Sequence, residues 1–108
     1  MRIIEQQMLN AITKQKKFKQ GNTEVAIELT NITIRLYNRD IATIDLITKE
    51  LKLYDGSFKS ATTKSRLNAI LSQIHCRILQ KQFKWIVTCK DNAEDDKNFY
   101  NGFTLDWG

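Results

Sequence analysis

A change of hydrophobic period at Thr23 constrains this chain more than any other feature of its sequence. Before it, Ile4, Met8, Ala11 and Ile12 recur at i, i+4, i+7 and i+8, with Leu9 widening the stripe. That is the spacing by which a helix buries one face. After it the period is two: Val25, Ile27 and Leu29 alternate with Glu24, Glu28 and Thr30, then Ile32, Ile34 and Leu36 with Thr33, Arg35 and Tyr37. Such alternation describes half-buried strands. A chain that changes period in this way has to pack helices against an antiparallel sheet.

The spacing predicts a first helix over residues 2 to 18. Its end is set by Lys14, Lys16, Lys17 and Lys19, which complement the negative end of the helix dipole, and by Gly21 as the left-handed C′ residue. Asn38-Arg39 reads as a two-residue turn, because Asn tolerates positive φ, leading into Ile41, Thr43 and Ile44. A second turn near Thr48-Lys49 precedes Leu51, Leu53 and Tyr54, and Asp55-Gly56 ends a meander of about four strands. Thr62 and Thr63 are N-cap residues for a second helix at about 62 to 75, with Leu67, Ile70, Leu71 and Ile74 as its stripe. A hairpin follows, with a turn around Lys81 to Phe83 and Trp85, Val87 and Cys89 alternating beyond it. A tip at Gln82-Phe83 places Cys76 directly opposite Cys89, whereas a tip at Lys81-Gln82 does not. Asp91 to Asn98 reads as a polar loop. Phe99, Phe103, Leu105 and Trp107 line a last strand, with Asn101-Gly102 as either a turn or a bulge within it. The expected architecture is a single α+β domain over 1–108: N-terminal helix, antiparallel β-meander, second helix, β-hairpin and final strand, with the helices packed on one sheet face.

Composition narrows the class. The 108 residues, 42% of them hydrophobic, suffice for one core without a metal or disulfide staple. No apolar run approaches the ~20 residues of a membrane helix. The first residues, with Glu5 where an apolar signal segment would begin, do not resemble a secretory leader. A cytoplasmic protein without membrane contact is expected, and in that compartment Cys76 and Cys89 read as buried, inert thiols. Seventeen Lys and Arg against twelve Asp and Glu give a net charge of +5 and a pI near 9.3. That balance favours anionic partners without identifying one.

The helix-two segment Ser60-Ala61-Thr62-Thr63-Lys64-Ser65-Arg66-Leu67-Asn68-Ala69-Ile70-Leu71 resembles one found in a family of small proteins of tailed bacteriophages and mobile elements. The likeness extends through Ile3 to Ile12, Gly21 to Val25, Asp40-Ile41-Ala42, Gln80-Lys81, Phe83-Lys84-Trp85 and Phe99 to Gly102. It therefore covers almost the whole chain. Many look-alikes carry glycines in strand turns where this chain has Arg39 and Phe83. The resemblance implies a phage-type origin and a compact α+β fold, and it supplies no activity.

Two basic groups carry the functional reading. Lys14, Lys16, Lys17 and Lys19 form the densest positive run, with Phe18 among them for stacking; the plainer reading is a solvated helix end. Thr63, Lys64 and Arg66 stand at a helix start, where open N–H groups and the dipole favour an anion; the plainer reading is an ordinary threonine cap. Antiparallel packing of the two helices would join both groups into one stripe. Tyr37, Tyr54, Phe58, Trp85 and Trp107 invite comparison with base-stacking platforms, although aromatics at strand spacing usually pack inward. His75, Cys76 and Cys89 are too few for a zinc site. Asp91, Glu94, Asp95 and Asp96 lack the order of a calcium loop. No cofactor motif or catalytic constellation is present, so a non-enzymatic protein is expected. The reading is a phage-type protein that holds nucleic-acid phosphates through Lys14, Lys16, Lys17, Lys19, Thr63, Lys64 and Arg66. The alternative is a module that binds or inhibits a host protein, possessing an exposed apolar patch or open edge near Phe99, Phe103 and Trp107 and able to form a homodimer.

Overall fold

A computed structural model describes residues 1–89 and 96–108. Helix α1 (Ile3–Lys14) buries Met8, Ala11 and Ile12 as the stripe requires, together with Glu5. It stops earlier than expected. Gln15 takes the left-handed conformation at φ 52°, its N–H donates to the Ile12 carbonyl and the Lys16 N–H to that of Ala11. This is a Schellman closure made without glycine. The apolar stripe ends at Ile12, and Phe18 gains more by crossing to Val25 as part of β1 (Phe18–Gln20), paired with β2 (Thr23–Ile27). Gly21, expected to close the helix, instead takes φ +57° in the tight turn joining those strands.

The meander continues through β3 (Asn31–Leu36), β4 (Arg39–Asp45) and β5 (Glu50–Leu53). It has five strands rather than about four, because the segment ahead of Gly21 joins it. Leu29 lies in the β2–β3 turn, fully exposed, and not in a strand. The next turn is Tyr37-Asn38, both at positive φ (52° and 64°), one residue ahead of the expected Asn38-Arg39. Pairing of Leu36 with Arg39 fixes that position. A register shift after Ile34 then sets Ile34 against Ala42 and Arg35 against Asp40. The extra residue is Ile41, so Ile41 and its neighbour Ala42 are both buried. Gly56, at φ +68°, ends the meander where a Cβ would come within 3.2 Å of the Ile41 side chain.

The expected final strand is shorter than its span, with Phe99 and Tyr100 outside any strand, and Lys97-Asn98, expected as the end of a polar loop, is itself a short strand. Lys97–Asn98 (β8) pairs with β7 (Lys84–Cys89), itself paired with β6 (Cys76–Lys81). After a turn at Asn101-Gly102, β9 (Phe103–Asp106) pairs with β5 at the edge of the large sheet, whose order is β1-β2-β3-β4-β5-β9. The turn is held from the large sheet, with the Gly102 N–H donating to the Leu53 carbonyl and the Asp55 N–H to the Asn101 side chain.

Helix α2 (Ala61–Leu71) runs into a single 3₁₀ turn at Ser72–Ile74, ending one residue short of the expected span. Its N-cap is Ser60, whose hydroxyl accepts from the Thr63 N–H, and not Thr62 or Thr63. Both helices cover one face of the large sheet, α1 against β1 and β2 and α2 against β4, and α2 also packs on β6. Met8, Ile34, Ile44, Leu51, Leu67 and Ile70 meet there in one core with Ile78, Trp85 and Val87 of the small sheet. The cysteines are corrected too. The hairpin tip falls at Gln82-Phe83, which sets Cys76 opposite Cys89, and the two are joined in a disulfide rather than standing as thiols.

Candidate anion-binding surface

The first basic group is exposed along its length. Lys14 lies in the last turn of α1, Lys16 and Lys17 in the link, and Lys19 in β1. None of the four makes an ion pair among the described residues, whereas Arg35 is held by Glu24 and Asp40, and Lys59 by Asp55. No acid falls between Glu5 and Glu24 in the sequence. Glu24 faces Lys19 across the strands, but its carboxylate reaches Arg35. Phe18 is half-buried against the core and unavailable for stacking. The lysine strip therefore has only charge to offer.

The second group has been turned inward. Arg66 and Thr63 are only 3% and 4% exposed. The Arg66 guanidinium donates to Glu5 at 2.8 Å, to the Thr23 hydroxyl at 3.0 Å and to the Asn22 side chain at 3.4 Å. Glu5, itself buried, also accepts from the Ser65 hydroxyl at 2.6 Å and from the Arg2 N–H at 3.2 Å. Burial pushes the Glu5 carboxyl up, but the hydrogen bonds from Ser65, Arg2 and Arg66 outweigh it and hold the carboxyl below its ordinary range. The charge of Arg66 is thus committed to a structural pair that ties α1, the β1–β2 turn and α2 together.

The same pair sets the first turn of α1 against the middle of α2. Lys64 borders a shallow depression with Met1, Glu5 and Asn68. Lys14 lies nine residues along α1 from Glu5, roughly 14 Å by helical rise. The expected stripe is not formed: of the seven residues, Lys14, Lys16, Lys17 and Lys19 stay together, Lys64 stands apart half-buried, and Thr63 and Arg66 are internal. The sequence did carry a signal for this. Glu5 falls in line with Met8 and Ile12, and Arg66 with Thr63 and Ile70, so each charge occupies the buried stripe of its helix.

Trp85 is buried and packs edge-on against Phe99, their centroids 5.3 Å apart. Phe103 is buried, and Phe99 and Trp107 are half-buried against the core, so the apolar patch expected around them is largely covered. Asp91, Glu94 and Asp95 lie outside the described residues. No helix among the described residues is long and apolar enough to cross a membrane. Sequence reasoning passed over Phe83, which is 93% exposed, and Tyr100, 60% exposed; Phe58 is 73% exposed. The signal for Phe83 was its place in a predicted turn, where a bulky side chain is out of character.

No curated protein and no solved structure matches the chain. A family model does, over residues 1–106, which accords with the resemblance to a phage protein family. The chain belongs to the Kyanoviridae Gp96 protein family, a family of phage proteins.

Proposed function

We propose that this phage protein is a non-enzymatic nucleic-acid binder that grips phosphates through Lys14, Lys16, Lys17 and Lys19. The observation that carries the reading is the density of these lysines, four exposed ammonium groups within residues 14–19 and no acid in the sequence between Glu5 and Glu24. Arg35, Lys59 and Arg66 are satisfied by acids within the fold, while the strip is exposed and has no ion pair among the described residues. Such a strip supports positional contact with a backbone and no base-specific readout.

The test is an anisotropy titration of a labelled oligonucleotide across a salt series. Each phosphate contact adds roughly 0.7–0.9 to the slope of log K against log salt, so Lys14→Gln/Lys16→Gln/Lys17→Gln/Lys19→Gln should flatten it by about 3. An unchanged slope and affinity would remove the proposal. Binding of a host protein that persists after nuclease treatment, with no affinity for the oligonucleotide, would favour the interaction-module reading instead.

A further inference from the structure

The β6–β7 hairpin ends in an unusual tip. Gln82 and Phe83 have φ of 50° and 66°, the pair of positive angles that a type I′ turn demands and that Asn-Gly normally supplies. A phenylalanine held there is an outlier, since its Cβ crowds the following carbonyl. Nothing in the fold repays that cost: the ring is 93% exposed. Lys81 and Lys84 flank it as cross-strand partners. Neither makes an ion pair among the described residues, and no acid lies between Cys76 and Cys89. The outer face behind the tip adds Arg77, also exposed, with Leu79 and Ile86 paired across it.

Two further exposed rings flank, in sequence, the residues that pack against Trp85, the residue two beyond Phe83. Trp85 packs on Phe99, and the Lys59 ammonium sits over both rings at 5.9 and 5.8 Å. Phe58 adjoins Lys59, Tyr100 adjoins Phe99, and Phe83 is two residues from Trp85. Phe58, Phe83 and Tyr100, all exposed, thus lie within two residues in sequence of this contact, the Tyr100 ring leaning on Phe103 with centroids 5.0 Å apart. Lys81 and Lys84 add charge that no acid among the described residues takes up, while Lys59 is held by Asp55. A host-protein surface would be served by the rings alone. Cations alternating with rings, and no acid on the hairpin, complement a polyanion that carries flat π-faces.

We infer that the hairpin tip is a stacking surface for unpaired bases of single-stranded nucleic acid, with Phe83 as the leading ring and Lys81 and Lys84 on the flanking phosphates. The inference rests on the nucleic-acid reading above and assigns it a strand type and a second contact surface.

The test compares a single-stranded oligonucleotide containing 2-aminopurine, the corresponding duplex, and heparin, which has charge but no bases. Phe83→Ala should weaken the single strand at least roughly fivefold and abolish the change in 2-aminopurine fluorescence on binding, since each stacked base contributes at that level. Heparin affinity should not move. Phe83→Gly suits the turn better than the native residue, so it controls for folding and should show the same loss. Lys81→Gln/Lys84→Gln should weaken the single strand and heparin alike. Equal affinity for duplex and single strand, or a Phe83→Ala protein that binds the single strand like the wild type, overturns the stacking surface. If that occurs while the Lys14–Lys19 substitutions still flatten the salt slope, the phosphate-binding function stands and only this inference falls.

Discussion

Removing the Arg66 side chain tests the buried pair most directly. In Arg66→Ala, Glu5, 2% exposed in the native protein, keeps its bonds from Ser65 and Arg2 but loses its counter-charge. Thr23 and Asn22 lose a donor as well. Breaking a buried pair from one side costs about 3–5 kcal/mol, and the two surviving hydrogen bonds place this case near the lower figure. Against a total of about 5–15 kcal/mol that is a large fraction, and at roughly 4–8 °C per kcal/mol the midpoint should fall by more than ten degrees or so. The pH dependence gives a second reading. In the wild type the Glu5 carboxyl lies below 4.5, so its contribution is complete above that value and disappears as pH falls through the folded-state pKa. In Arg66→Ala, burial is less opposed and the carboxyl rises, so the deficit should be small in acid and grow toward neutrality. Urea unfolding followed by the fluorescence of buried Trp85 measures both. Glu5→Leu/Arg66→Met should recover most of the loss, because no charge is then stranded. A deficit under about 1 kcal/mol, or one that does not change with pH, would refute the assignment of Arg66 to the framework.

Other consequences are as direct. Asn68 closes the open edge of β6 by accepting from the Ile78 N–H at 2.6 Å and donating to its carbonyl at 3.2 Å; Asn68→Ala should cost about 1–3 kcal/mol in denaturant, and no loss would mean that water replaces it freely. Gly56→Ala places a methyl group at positive φ against Ile41 and should destabilise by at least ~1 kcal/mol, whereas Gly21→Ala, with open space around it, should suffer the φ penalty alone. Asp45 accepts from the Thr48 and Ile47 N–H groups, which hold its carboxyl below the ordinary value. Its contribution should be complete above 3.8 and fade as pH falls below it, so Asp45→Asn should flatten the acid limb of the stability profile. The Cys76–Cys89 crosslink spans 13 residues; reduction, verified by mass, should lower stability by about 2–3 kcal/mol, and free thiols in protein handled without reductant would contradict the bond.

Hydrophobic period and turn chemistry by themselves determined the α+β class, both helices, the β2–β5 meander and the hairpin after α2, because each depends on spacing within a few residues. Long-range pairing decided the rest. Phe18 left the helix because Val25 lies across from it. Phe99 stays beside the small sheet, its N–H donating to the Trp85 carbonyl and its ring packing on Trp85, whereas Phe103 pairs with Leu53 in the large sheet. Arg66 changed meaning most: at a helix start it reads as a ligand for an anion, yet the anion it found was Glu5, 61 residues away. A local pattern records which face of a helix is buried, but only the packed structure supplies the opposite charge that makes burying an arginine tolerable.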